Sequence, residues 1–134
     1  MATRIVTYQG LDQTLLALFP EFTEEYKSKF DYWVDWDKPP GIYLVFGFVV
    51  FPYLISLFDA RQDEKLIRRL FAFFEDLASS KDRNVLDLLY LELIHKLLYA
   101  PDHLRKAWPY MGEKTKDLTK KAAKVLRVQM DVGT

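Results

Sequence analysis

The sequence predicts a single all-α domain over residues 1–134, built as a compact bundle of five or six helices with HEAT-like helical hairpins. Apolar residues recur at helical spacing along two consecutive segments, 63–78 and 85–99. In addition, the twenty residues from Pro39 to Phe58 carry no charge, although 28% of the whole chain is charged. Half of the residues are hydrophobic, which is enough for a chain of this length to bury such a stretch in a core.

The first third of the chain predicts two helices followed by a loop. Leucines at helical spacing predict a helix over 7–18, which Pro20 ends. Thr23 and the two glutamates after it open a second helix. Its aromatic residues continue toward the loop 31–41, DYWVDWDKPPG, whose two prolines and one glycine predict irregular structure.

The charge-free stretch allows two interpretations. Residues 42–46 are the only plausible strand in the chain, although the sequence does not decide between strand and helix there. From Gly47 to about Asp59 we expect a buried helix with Pro52 in its first turns. The turn at Pro39–Gly41, the central proline and the lack of flanking basic clusters argue against a membrane span.

The middle of the chain predicts an antiparallel helical hairpin. Residues 63–78 place Leu66, Leu70, Phe73, Phe74 and Leu77 on one wide apolar stripe. A polar break follows, in which Asp82 is the expected N-cap of a helix over 85–99. That second helix is apolar on nearly every side, which is typical of a central helix surrounded by others.

The last third predicts a short helix that begins at Pro101 and an amphipathic helix over 113–130. On a helical wheel, one side of the latter collects Thr115, Leu118, Ala122, Val125, Leu126 and Gln129. The other side is a basic face, formed by Lys114, Lys116, Lys120, Lys121, Lys124 and Arg127.

The sequence contains no residue pattern that is typical of a catalytic site. The histidines, His95 and His103, lack the spacing of a metal site, and neither glycine-rich phosphate loops nor nucleophile motifs occur. The paired carboxylates are adjacent in sequence and so point about 100° apart on a helix. We therefore expect no enzyme, no catalytic residue, no metal and no cofactor.

Two features predict recognition instead. The loop 31–41 places Tyr32 and Trp36 among carboxylates, with Asp35 and Asp37 beside them, which suits a binding site for a basic protein. The charge is also uneven: residues 21–37 carry a net charge of −4 and residues 105–127 a net charge of +6. A lysine-rich outer face is usually only a solvated surface; the alternatives are that the basic face contacts an acidic protein or nucleic acid phosphates.

The stretches FPYLISLF at 51–58 and LFAFFEDLASSKDRNVLDLLYLELIHKL at 70–97 resemble a family of small uncharacterised bacterial proteins. The similarity lies in the PYL, FFEDLA and VxDLL helices and covers about residues 40–100. That family is associated with the immunity proteins that neutralise secreted bacterial toxins. The resemblance implies a helical fold and an immunity role, but it assigns no functional residue.

These observations together predict a non-enzymatic protein-binding module, of the immunity type, whose partner is a cognate toxin. The alternatives are a nucleic-acid-associated protein that binds through the basic face, and a homo-oligomer that covers surplus apolar surface of residues 42–58. The chain has no cysteine and its start lacks the apolar run of a signal peptide, so we expect a cytoplasmic protein.

Overall fold

The fold is helical throughout the part of the chain that the structure, a computed structural model, describes: residues 6–31, 40–61 and 63–132. The all-α prediction is confirmed, with seven helices in these ranges instead of five or six. The seven helices correspond to the seven segments predicted one by one along the sequence, so the predicted total of five or six was too low. The helices are α1 (Leu11–Leu18), α2 (Thr23–Phe30), α3 (Ile42–Ala60), α4 (Glu64–Ala78), α5 (83–98), α6 (Pro101–Ala107) and α7 (Glu113–Leu126).

The N-terminal helices meet at a sharp corner. Helix α1 begins later than predicted because Gly10, before it, is left-handed at φ 72° and makes a turn. Pro20–Phe22 form one 3₁₀ turn, and Thr23 then opens α2 as the sequence predicted. Phe19 and Phe22 stack at 5.6 Å between ring centroids, so the corner is anchored in the core.

Arg69 of α4 holds this corner in place. Its guanidinium donates hydrogen bonds to both carboxylate oxygens of Glu21 and, over 2.9 Å, to the carbonyl of Leu18. It also lies over the Phe19 ring at 5.2 Å. The hydrogen bonds from Arg69 hold the pKa of Glu21 below its ordinary value of 4.5, although partial burial opposes this.

Replacing Arg69 with methionine should lower the free energy of unfolding by about 1–2 kcal/mol, since the stem keeps its packing but the hydrogen bonds are lost. Because the pKa of Glu21 is lower in the folded state, the stabilisation that its pairing with Arg69 contributes is fully present above the unfolded-state pKa. This stabilisation is lost as the pH falls through the folded-state pKa. Denaturant unfolding of the wild type and of Arg69→Met should therefore show a difference in the free energy of unfolding that shrinks below about pH 4.5. Arg83→Met is the matched control, because its pair with Asp87, at 3.6 Å, is more exposed than that of Arg69 with Glu21. An equal loss in the control would contradict the assignment.

Residues 42–46 are helical, and this settles the choice that the sequence left open. Helix α3 begins at Ile42, five residues before the predicted Gly47, with the extended Gly41 as its N-cap. A strand there would need a neighbouring strand to satisfy its backbone, and the described residues around it are all helical.

A π-helical turn over Phe46–Val50 makes room for a proline in the middle of α3. Pro52 lies ten residues into the helix, where its ring would ordinarily clash with the carbonyl four residues earlier. The wider turn ends with the amide of Phe51 donating to the carbonyl of Phe46, immediately before the proline. The helix therefore continues through Pro52 to Ala60.

Helices α4 and α5 form the predicted hairpin, and side chains cap both of them. Asp63 accepts a hydrogen bond from the amide of Leu66, and Asp82 accepts one from Asn84. The Asp82 cap is thus confirmed. Helix α5 consists of Arg83–Leu89, a second π turn at Tyr90–Ile94, and His95–Leu98.

The segment before α1 is bound to this hairpin. Ser80 donates from Oγ to the carbonyl of Val6, and Asp82 accepts from the amide of Tyr8, both over 2.9 Å. Asp82 therefore caps a helix and fixes a distant segment at the same time.

The C-terminal helices pack back onto the hairpin. Helix α6 begins at Pro101 as predicted and leads into a 3₁₀ turn, Trp108–Tyr110. Helix α7 ends at Leu126, earlier than the predicted 130, because Arg127 adopts a left-handed conformation at φ 57°. Its buried side includes Thr119 and Ala123, whereas Val125, predicted on the inner side, is exposed.

The core is one continuous apolar cluster drawn from all seven helices. All five residues of the predicted α4 stripe are buried, with Phe74 between the rings of Phe46 and Phe71. The buried polar side chains among the described residues are Thr115 and Thr119, and both hydroxyls form hydrogen bonds. The buried interior is thus almost entirely apolar.

Candidate functional site

The predicted acidic aromatic loop lies almost wholly outside the described residues. Tyr32, Asp35, Trp36 and Asp37 fall in the range 32–39, so their role as a partner-binding site stays a prediction. Asp31 on one side of that range is exposed, and Pro40 on the other is buried.

The predicted basic face is present on α7 and at its end. Its members Lys114, Lys120, Lys121, Lys124 and Arg127 are exposed, and Lys116 is half-buried. Lys121 makes only a loose contact with Asp117, at 4.0 Å. The amino groups of Lys116 and Lys120 lie over the ring of Trp108, at 5.2 and 5.9 Å from its centroid. Two of the six cations are therefore held against an aromatic ring, a cation–π arrangement that the sequence did not reveal.

A carboxylate from α4 fixes the start of α7. Glu75 accepts hydrogen bonds from the backbone amides of Lys114 and Thr115 and from the Thr115 hydroxyl, at 2.8–2.9 Å. A negative charge at a helix N-terminus satisfies free amides and opposes the helix dipole favourably. The basic face is thus positioned by an acidic residue 39 positions earlier in the chain.

The exposed large apolar side chains lie on or beside three helices, α3, α5 and α7, and we call this set of side chains the apolar face. Five large apolar side chains are exposed among the described residues: four of them are on these helices, and Tyr99 directly follows α5. With their exposed fractions they are Leu44 (37%), Phe48 (54%), Leu91 (47%), Tyr99 (61%) and Val125 (78%). The sequence predicted a helix at 85–99 surrounded by others, whereas one side of α5 is open.

The two π turns bring α3 and α5 close together beneath the apolar face. A side chain added at Gly47, in the first π turn, would lie 3.3 Å from the carboxylate of Glu92, in the second. Glu92 forms an ion pair with Lys96 over 2.6 Å, and the Lys96 amino group lies over the Phe51 ring at 5.2 Å. Paired wide turns of this kind occur often at functional sites.

A row of rings extends this surface along α5 toward α7. His95 contacts Tyr90 at 6.0 Å and Tyr99 at 5.1 Å between ring centroids. Tyr90 then lines a shallow apolar groove of about 240 Å³ together with Leu118 and Val125 of α7. His95 is therefore a half-buried residue packed between two tyrosine rings.

The other histidine, aspartate and glutamate side chains that the structure describes do not converge on one site. His103 forms a 2.9 Å contact with Asp59, which links α6 to α3. Within residues 6–31, 40–61 and 63–132, no group of three or more His, Asp or Glu side chains could hold a metal ion. Burial raises the pKa of Tyr53, and the carboxylates of Asp63, Glu21 and Glu25 add to the effect.

Helix α3 is long and apolar enough to cross a membrane by length and composition alone. The core helices of soluble proteins meet the same criterion, and such a helix is weak support for a span. In this fold Val45, Phe46 and Leu54 of α3 are fully buried against other helices. The structure thus uses α3 as a core helix.

Comparison with known proteins gives one match. A family model described as a domain of unknown function (DUF7674) matches residues 13–127, which include parts or all of the seven helices. No curated protein and no solved structure matches the chain.

Proposed function

We propose, for a chain that belongs to the DUF7674 family of domains of unknown function, a non-enzymatic role as a protein-binding module. The apolar face supports this proposal. Large exposed apolar side chains are costly to keep in water, and where they adjoin one another they mark interaction sites on soluble proteins. Tyrosine and phenylalanine, two of its members, supply large contact areas with little loss of side-chain freedom.

The charges beside the apolar face indicate what kind of partner fits it. On the α7 side, Lys121 lines the same groove as Val125, and the exposed Lys124 precedes Val125 in the helix. A partner that matches this edge carries carboxylates beside an apolar patch. We therefore propose a protein partner with a partly acidic surface.

The specific form of the role that we propose is that of an immunity-type protein, which binds a toxin stoichiometrically in the cytoplasm and covers its active site. The resemblance of residues 51–58 and 70–97 to small bacterial proteins associated with immunity supports it, as does a core that is almost entirely apolar. The packed α4–α5 hairpin also suits the HEAT-like interpretation, in which helical hairpins present a binding surface.

Replacing Phe48 or Tyr99 with aspartate should weaken binding to the partner by about 30-fold each, because buried aromatic hot spots contribute 2 kcal/mol or more. The measurement is a calorimetric titration against the purified toxin, which an immunity role predicts to be the product of the adjacent reading frame. Ala72→Glu is the matched control, since it places the same charge on an exposed position of α4.

Two results would contradict the proposal. One is wild-type affinity in both aspartate variants. The other is a mass that rises with protein concentration in light scattering and returns to that of a monomer in Phe48→Asp, which would assign the apolar face to a homo-oligomer.

The exposure of five of the six basic-face residues favours nucleic acid as the second candidate. If the protein binds nucleic acid, the double variant Lys120→Glu/Lys121→Glu should lose most of its retention on heparin. Its DNA binding should also depend less on the salt concentration than that of the wild type. Lys27→Glu/Lys29→Glu on α2 is the charge-matched control. Retention that is equal in all three proteins would exclude binding through the basic face.

A further inference from the structure

An open groove with an apolar floor and a cationic rim lies between the end of α3, the start of α4 and the turn after α6. Its volume is about 540 Å³, within the range of known ligand sites. Leu57, Phe58 and Ile67 form the floor, and the half-buried Tyr110 closes one wall. It shares no residue with the apolar face, so it is a separate surface.

Three cations from three different elements surround this groove: Arg61, Arg68 and Lys106. Arg68 is ion-paired with Glu64 and lies over the Tyr110 ring at 5.3 Å, which fixes its position. Arg61 and Lys106 are exposed and form no ion pair with any residue in the described part of the chain. The groove therefore has an unbalanced positive charge at its rim.

The backbone at Arg61 allows its side chain to be removed without strain. Arg61 follows the last residue of α3 in a left-handed conformation, at φ 53° and ψ 43°, and so ends the helix as Arg127 ends α7. Glycine is the residue that this position favours, so Arg61→Gly removes the charge while the helix end is kept.

We propose that this groove binds an acidic peptide segment of a partner protein, in which carboxylates flank one large apolar side chain. Guanidinium groups suit carboxylates because they donate two parallel hydrogen bonds. The apolar floor of Leu57, Phe58 and Ile67 can accept a large apolar side chain between them. The proposal does not depend on the proposed function, since it concerns other residues.

The test is an amide chemical-shift titration of the full chain with the acetylated peptide Glu-Gly-Asp-Phe-Glu amide. Its neutral counterpart, Gln-Gly-Asn-Phe-Gln, is the control peptide. We expect the acidic peptide to shift amides within 57–68 and 106–110, and the neutral peptide to leave them unchanged. Arg61→Gly and Lys106→Ala should each weaken binding about tenfold or more, since a charged hydrogen bond is lost. Arg83→Ala, on the exposed start of α5, should bind like the wild type.

Arg61→Gly separates binding from folding, because glycine suits the left-handed position and the variant should unfold at the same denaturant concentration as the wild type or higher. Arg61→Lys should restore part of the affinity. Equal shifts by both peptides, undiminished binding by Arg61→Gly, or no shifts in the groove would overturn the proposal. Shifts of the same amides by inorganic phosphate, without any by the acidic peptide, would overturn it in favour of a small-anion site.

Discussion

Replacing Gly112 with alanine is expected to lower the free energy of unfolding by about 2–3 kcal/mol, although the change adds one methyl group at a half-buried position. The new Cβ would overlap with the Cγ and Cδ atoms of Glu75. Glu75 can move aside only by giving up its hydrogen bonds to the Lys114 amide and to Thr115. The lost free energy has two parts: α7 loses its N-terminal cap, and the buried Thr115 hydroxyl is left without its hydrogen-bond acceptor.

Chemical denaturation of Gly112→Ala, Glu75→Ala and the double variant tests this explanation. If the two residues act through one contact, the double variant should be little less stable than either single variant. Glu113→Gln is the control, because it removes an exposed charge from the same helix end without touching the cap. Additive losses in the double variant would show that Gly112 matters for another reason.

Replacing Phe74 with alanine should be the most damaging single change in the core, at about 3–5 kcal/mol. Phe74 is fully buried, and its ring packs on Phe71 at 5.0 Å and on Phe46 at 5.8 Å. Natural domains have a total stability of about 5–15 kcal/mol, so this one change removes a large part of it.

Phe48→Ala is the matched control, since the same side chain is removed from an exposed position in the neighbouring helix α3. Its cost should stay below about 1 kcal/mol. Thermal unfolding followed by circular dichroism measures both. Similar losses in the two variants would mean that Phe48 is buried in solution by another molecule, which is what the oligomer alternative requires.

The helices with strong apolar periodicity were predictable from the sequence. The α4 stripe, the Asp82 cap and the start at Pro101 all follow from local patterns, and all are found in the structure. The helical state of residues 42–46 did not follow, because a run that is apolar on every side has no period to distinguish strand from helix. The surrounding helices decide it.

The candidate sites were harder to predict for a related reason. The approach of α3 to α5 at Gly47 and Glu92 joins residues that are distant in sequence, and no local pattern indicates it. Val125 was assigned to the inner side of α7 because an ideal wheel cannot show which arc of a helix its neighbours cover. The basic face was predictable, since charge patterns are local, but its contacts with Trp108 were not.

The contacts of Val6 with Ser80 and of Tyr8 with Asp82 also set an order of events during synthesis of the chain. Each of them joins residues 74 positions apart. At a synthesis rate of about 5–20 residues per second, the first partner waits about 4–15 s for the second. Helices α4 and α5 are close in sequence and can pair as soon as both emerge, because short loops close at low entropic cost. The segment 6–8 therefore cannot be fixed until residues 80–82 have been synthesised, and protection of the Tyr8 amide from hydrogen exchange marks this step.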